Sequence, residues 1–399
     1  MVKEKAHKID SFVKRSEMIA SEISTMVGIA INPLLGMVCV GGFEFYKAKT
    51  KSEPLSWYNS LWFLIPAALI LLIIALKDTI GEALPPLKKF LDGFELVEHK
   101  VFAVLAFSSR VPSIVDSLNA PLSKYVSSIL DNFGIATAYA ATSGGLAGGV
   151  GDGVSNIISI VAVILIVLFC AVIFFVVWLT SGVVETLSFL SPIPFAGLLL
   201  KIVRLLLLFF FTVLSILSVF LGFIISMIIV LLCIKLAGWS FRLSVFGIVI
   251  FKDNITMKWK RFDVRGEKHI RVFSSKNIES VKNRSYGRFI KEGDKLVFLY
   301  KPFLVFKERS IFIDERPDNL KIAKGLLYPS VVIFDSISNS HTLLFHLRPM
   351  YRNHEENVAE LIGIQKDVHQ LWVVTKLRGI WRWIKDQISE EHLVKVENI

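Results

Sequence analysis

Leu198 to Trp239 is a run of about forty residues made almost wholly of Leu, Ile, Val and Phe, and no chain that is soluble throughout carries one. Ile157 to Thr180 is a second apolar run, and Leu61 to Leu76 a third. A bilayer core about 30 Å thick is crossed by a helix of about 20 apolar residues. The sequence therefore predicts an α-helical integral membrane domain with about four membrane segments. Leu198 to Leu236 exceeds one upright span, so it reads either as one tilted helix or as two segments broken near Leu221-Gly222.

The remainder is of a different kind. Of 399 residues 53% are hydrophobic and the net charge is +11. From Phe251 onward, 27 Lys and Arg stand against 19 Asp and Glu. Short runs rich in β-branched and aromatic residues, separated by charged turns, follow Trp239: Leu243 to Phe251, Lys295 to Phe306, Ser310 to Ile313, Tyr328 to Phe334 and Thr342 to His346. They read as antiparallel strands. Glu355 to Ile388 reads as a helix, with Leu361, Ile364, Val368, Leu371, Trp372 and Trp381 among its apolar positions. The expectation is a mainly-β, pleckstrin-homology-like domain closed by a C-terminal helix. The resulting division is a basic N-terminus (1–17), a membrane domain (18–239) and a basic β-rich domain (240–399).

Lys and Arg collect on the cytoplasmic side of membrane proteins. The basic start and the basic end thus place both termini in the cytoplasm of a bacterial inner membrane. No nucleic-acid motif accompanies the charge, and the expected partners are membrane lipids, with a protein partner or a second copy as further options. Lys258, Lys260, Arg261, Arg265, Lys268 and Arg271 follow the last apolar segment closely and are candidates for lipid headgroup contact. Cys39, Cys170 and Cys233 all lie in apolar segments and read as small buried hydrophobes, with no disulfide framework and no paired metal ligands. Neither a metal nor a cofactor is expected.

Several segments invite a functional reading. Met26 to Phe45 holds Gly28, Gly36, Gly41 and Gly42 and is interrupted at Asn32-Pro33. A re-entrant hairpin and a single kinked span both fit it. Ser113 to Phe133 is amphipathic, with Ile114, Leu118, Leu122, Tyr125, Ile129 and Phe133 at helical spacing. Thr142 to Gly153 is glycine-dense but lacks the Gly-Lys-Ser/Thr ending of a phosphate loop. His341 and His346 are placed on opposite faces of a strand, and no catalytic set is found.

The membrane part repeats a pattern. Gly81-Glu82-Ala83-Leu84-Pro85-Pro86 with Lys88-Lys89 follows one apolar span; Val184-Glu185-Thr186-Leu187, Ser191-Pro192-Ile193-Pro194-Phe195, Lys201 and Arg204 follow another. Repeats with broken helices at their interface build many transporters. Charge near a bilayer marks pairings or pathways. The substrate-pathway candidates are accordingly Glu82, Glu185, Pro85, Pro86, Pro192, Pro194, Lys201, Arg204 and Asn32. Glu22, Glu44, Asp78, Arg110 and Asp152 are further ionisable groups beside apolar segments.

The glycine-punctuated first segment, Lys77-Asp78 with Leu91-Asp92-Gly93, and Ser191-Pro192-Ile193-Pro194-Phe195 resemble an uncharacterised bacterial integral membrane family, catalogued as domain of unknown function 4126. The resemblance covers about Ile19 to Leu214 and implies a membrane protein without an established activity. The expected function is binding or movement of a lipid or small amphiphile by a non-enzymatic protein with a two-fold repeat. The alternative is a membrane-anchored scaffold or adaptor whose C-terminal domain binds a partner or the leaflet.

Overall fold

The computed structural model describes residues 2–51, 55–80, 85–132, 147–191, 194–263 and most of 267–364, together with 368–370. For some of these, including 2–15, 85–90, 116–132 and 147–160, it describes the backbone alone. The chain forms two compact units: Met1–Glu185 with Pro194–Ala237, and Thr186–Ile193 with Gly238–Ile399.

In the first unit, α1 (Val2–Ile31) and α2 (Pro33–Lys51) meet at Asn32. Asn32 Oδ1 accepts the Leu35 amide at 3.3 Å, which makes Asn32 the N-cap of α2 with Pro33 in its first turn. The chain reverses here. Arg110 pairs with Glu22 on α1 and Glu44 on α2 through its two terminal nitrogens. Along one continuous helix those carboxylates would lie about 33 Å apart, at about 1.5 Å per residue. The Asn-Pro break thus makes a helical hairpin rather than a kinked span. Gly36 permits the close turn: a Cβ there would fall 2.8 Å from Ile29 Cα.

Next come α3 (Leu61–Ile80), α4 (Pro85–Asn132), α5 (Ala147–Ser181), α6 (Val183–Leu190), α7 (Pro194–Leu217) and α8 (Val219–Ile255). The core of the unit is made by Met26 and Ala30 of α1, Ala106 of α4, Phe174 and Val177 of α5, Phe211 of α7 and Val230 of α8. Three stretches are long and apolar enough to cross a membrane: Ile164–Leu190, Gly197–Leu217 and Val219–Ile255. The expected span at Leu61 is shorter, its apolar part being Leu61–Lys77. Trp57 and Trp62 are exposed near its start.

Several expectations are corrected. The long apolar run is two helices, and the break is at Ser218 rather than Leu221-Gly222. Leu243 to Phe251 is not a strand but the end of α8. Its buried Leu243, Phe246 and Ile250 recur at helical spacing, and the chain context overrides their β propensity. The amphipathic stretch at 113–133 is no separate element: residues to Asn132 continue the 48-residue α4. Cys170 and Cys233 are buried, but Cys39 is exposed. Residues 142–146 of the glycine-dense stretch lie outside the described residues, and 147–153 open α5.

The second unit is built on an eight-stranded sheet with the order β4-β3-β2-β1-β7-β6-β5-β8. The strands are β1 (Ile270–Ser274), β2 (Tyr286–Glu292), β3 (Lys295–Tyr300), β4 (Arg309–Ile313), β5 (Leu320–Lys324), β6 (Ser330–Asp335), β7 (Ser340–Leu347) and β8 (Val368–Gln370). The first seven pair antiparallel, and β8 joins β5 in parallel. Inward residues of the strands form one core, with the Phe345 ring packed at a tilt against Phe289 and Phe298 at 4.8 and 5.0 Å.

The closing helix is shorter than expected. α9 (Glu355–Ile362) stops where Gly363 enters the left-handed region at φ 64° and its amide bonds back to the last turn. Val368 then belongs to a strand, while Leu371, Trp372 and Trp381 lie outside the described residues.

His346 on β7 carries a pH dependence. Its ring packs edge-on against Tyr328 at 5.2 Å and beside Phe246 at 5.4 Å, and its Nδ1 is buried without a hydrogen-bond partner. Burial first, and the Arg284 guanidinium second, hold its pKa down to about 3 from an ordinary 6.5. Below about 6.5 the unfolded chain takes up a proton that the native ring refuses, so stability is lost as pH falls through the window from about 6.5 to about 3. The loss is up to about 1.4 kcal/mol per pH unit. Thermal unfolding of the detergent-solubilised protein at about pH 7.5 and about pH 5 should show the decline. It should be shallower in His346→Asn; equal slopes in the two proteins would refute the assignment.

Candidate functional site

The polarity of α4 is the reverse of a soluble helix. Phe94, Val97, Val101 and Val104, at three- and four-residue spacing, are exposed. Asp92, Glu95, His99 and Arg110 are buried. A helix that turns charge inward and apolar residues outward positions its ionisable groups against neighbouring helices.

Those groups build one network within the first unit. Lys77, near the end of α3, donates to Asp92 at 2.6 Å and to Glu95 at 2.5 Å. Glu95 also accepts from Lys201 of α7 at 2.6 Å. One turn further along α7, Arg204 pairs with Glu185 of α6. His99 Nδ1 lies 3.8 Å from the same Glu185 oxygen. The His99 ring stacks on Trp178, whose indole N–H donates to the His99 carbonyl at 3.2 Å. Lys100 sits over the other ring system of this corner, its Nζ 5.3 Å from the Trp178 centroid. Gly182 makes room: a Cβ there would stand 3.3 Å from His99 Cδ2.

Four atoms in this corner, Glu98 Oε1, His99 Nε2, Glu185 Oε2 and Arg204 Nε, are buried without a hydrogen-bond partner. Buried polar atoms are ordinarily satisfied, and a cluster that is not has capacity for a polar guest or water. Two cavities open beside the network. One, of about 570 Å³, is lined by Asn32, Leu71, Ile74, Glu95, Lys201 and Arg204. The other, of about 410 Å³, is apolar with a fringe of hydroxyls, lined by Ser24, Thr25, Cys39, Phe209, Phe211 and Thr212. They adjoin, since Leu35 and Leu205 line both.

The structure brings together part of the expected pathway set. Asn32, Lys201 and Arg204 face one cavity, and Glu185 holds Arg204. Glu82 and Pro192 lie outside the described residues. Pro85 and Pro86 begin α4, and Pro194 begins α7. These prolines stand at helix starts, where their missing N–H costs no helical bond. Glu22, Glu44 and Arg110 form the separate clamp on the α1–α2 hairpin, while the side chains of Asp78 and Asp152 are not described.

Glu95, Glu98 and His99 were not among the expected residues. The signal for Glu95 and His99 is the three- and four-residue spacing of Asp92, Glu95 and His99, which puts all three on one helix face; Glu98 lies outside that series. In the second unit Lys260, Arg261 and Arg271 are exposed, Lys258 is half-buried with Asp253 at 3.8 Å, and Arg265 and Lys268 lie outside the described residues. Among the described residues, no three His, Cys, Asp or Glu side chains could hold a metal ion together. No protein-family model, curated protein or solved structure matches the chain.

Proposed function

We propose that the first unit binds, and as a carrier moves, a small amphiphile or single lipid. Its apolar chain would lie in the cavity beside Phe209 and Phe211. Its polar head would meet Asn32, Glu95, Lys201 and Arg204. The carrying observation is that an apolar cavity and a charged one share the wall made by Leu35 and Leu205. Lys201 and Arg204 each already hold a carboxylate, so a zwitterionic or neutral hydrogen-bonding head suits the site better than a bare anion.

On this reading α4 adds a further membrane-embedded helix, supported by its outward Phe94, Val97, Val101 and Val104. The protein then resides in a bacterial inner membrane with both termini cytoplasmic, a reading supported by its basic ends; labelling of Lys3 from outside intact cells would exclude it. Seven antiparallel strands followed by a helix support a pleckstrin-homology-like second unit. Its exposed Lys260, Arg261 and Arg271 support headgroup contact.

Leu205→Trp tests the site, because it fills the shared wall from an exposed position and removes no member of the charge network. Protein purified in mild detergent should carry a co-purifying amphiphile in the wild type and at least about tenfold less in the variant, a difference of about 1.4 kcal/mol. Mass spectrometry of the extract reads it, with a matched melting temperature as the control for folding. Equal retention, or no bound amphiphile in either, would leave the membrane part as an anchor for the second unit.

A further inference from the structure

The loop between β3 and β4, Pro302 to Phe306, is a place where the second unit spends apolar surface on solvent. Phe303, Leu304, Val305 and Phe306 are consecutive and all exposed, Val305 at 84%. Exposed Lys301 and Lys307 flank them. A soluble surface scatters its exposed apolar residues singly, and a run of four marks an interaction site.

The loop is held in this shape. Phe303 and Leu304 sit in the left-handed region at φ 52° and 64°, a conformation that bulky residues adopt only where their surroundings impose it. Leu304 N–H bonds to the Lys301 carbonyl and Phe306 N–H to the Pro302 carbonyl. The Phe303 ring packs on α8: it lies 5.6 Å from Phe241, and a Cβ on Gly238 would meet it at 3.4 Å.

That contact fixes the depth of the loop. Exposed apolar residues run along α8 from Val219 through Ile228 and Leu232 to Leu236; beyond it only Ile248 and Ile255 of the helix's large apolar side chains are exposed, each singly. At about 1.5 Å per residue this stretch is about 27 Å long, close to the thickness of a bilayer core. Trp239 follows at the position of an interfacial aromatic. Gly238 and Phe241, where the loop is seated, therefore mark the edge of the hydrocarbon.

We propose that the strained Phe303–Phe306 loop, packed on α8 at Gly238 and Phe241, inserts into the acyl–headgroup boundary of the bilayer that α8 crosses. Lys301 and Lys307 remain at the headgroups. The occupant of this patch is lipid, and the second unit has its own purchase on the membrane. The inference rests on α8 as a membrane span and is independent of amphiphile binding by the first unit.

The test uses the full chain with Cys39, Cys170 and Cys233 replaced by serine, reconstituted in phosphatidylcholine–phosphatidylglycerol nanodiscs. A nitroxide is attached in turn at Val305→Cys, Ile228→Cys and Glu292→Cys, all exposed sites where a label leaves the fold intact. Glu292 ends β2 at the hairpin turn, at the opposite end of β3 from the loop. The ratio of oxygen to nickel-chelate accessibility should be several-fold higher at Val305 than at Glu292, and highest at Ile228. A Val305 ratio equal to that at Glu292, with Ile228 in lipid, overturns the inserted loop. An aqueous Ile228 overturns the span itself, and the loop with it. A Val305 label shielded from both reagents assigns the patch to a protein and overturns lipid as its occupant.

Discussion

Arg348→Met is expected to destabilise the second unit by about 3–5 kcal/mol, the usual cost of leaving a buried charge without its partner. Arg348 Nε and Nη2 donate to the two oxygens of Asp253 at 2.8 and 2.7 Å, a two-pronged pairing that lysine could not reproduce. Asp253 is fully buried near the end of α8, and Arg348 directly follows β7, so the pair ties helix to sheet inside one unit. Without the guanidinium, the only other cation near the carboxylate among the described residues is half-buried Lys258 at 3.8 Å. Asp253→Asn combined with Arg348→Met should recover much of the loss, because no ion is then stranded. Pulse proteolysis across a urea series gives both values, and a single-variant cost under about 1 kcal/mol would mean that water reaches the carboxylate.

Glu95→Leu should be as damaging to the first unit. Glu95 is shared by Lys77 and Lys201, with Nζ–O distances of 2.5 and 2.6 Å, and it is 6% exposed. Its removal leaves Lys77 with Asp92 and takes the Glu95 carboxylate from Lys201. A cost of about 3–5 kcal/mol corresponds to a fall of about 10 °C in the midpoint for loss of the monodisperse species in detergent. Adding Lys201→Met should restore part of it, since the second change removes a cation that the first deprived of the Glu95 carboxylate. Additive losses in the double variant would show that the two side chains do not act as a pair.

The helices of the first unit were legible because hydropathy over long windows is a strong signal, and Asn32-Pro33 was legible as a break. That it makes a hairpin was not, since local sequence does not say whether Glu22 and Glu44 find the same cation. The strands β3, β4, β6 and β7 were legible from runs of branched and aromatic residues. β1, β2 and β5 were not: Arg271, Arg288 and Lys321 interrupt them, and each is too short to average that out. The closing helix was overextended by reading apolar positions through Gly363, a stop signal in the sequence. At the site, Lys201, Arg204, Glu185 and Asn32 were legible as polar groups beside apolar runs. Glu95 and His99 were passed over because α4 as a whole is too polar to resemble a span, and only its reversed periodicity gives it away.

The α1–α2 hairpin has a consequence for how the protein is made. Glu22 and Glu44 emerge from the ribosome early, whereas Arg110 follows 88 residues after the first and 66 after the second. At about 5–20 residues per second, the hairpin waits several seconds for the cation that neutralises it. Two carboxylates without that partner are poorly tolerated among lipid chains. Were the hairpin to enter the bilayer, it would therefore do so only after α4 arrives with Arg110, a delayed event rather than the first step of assembly.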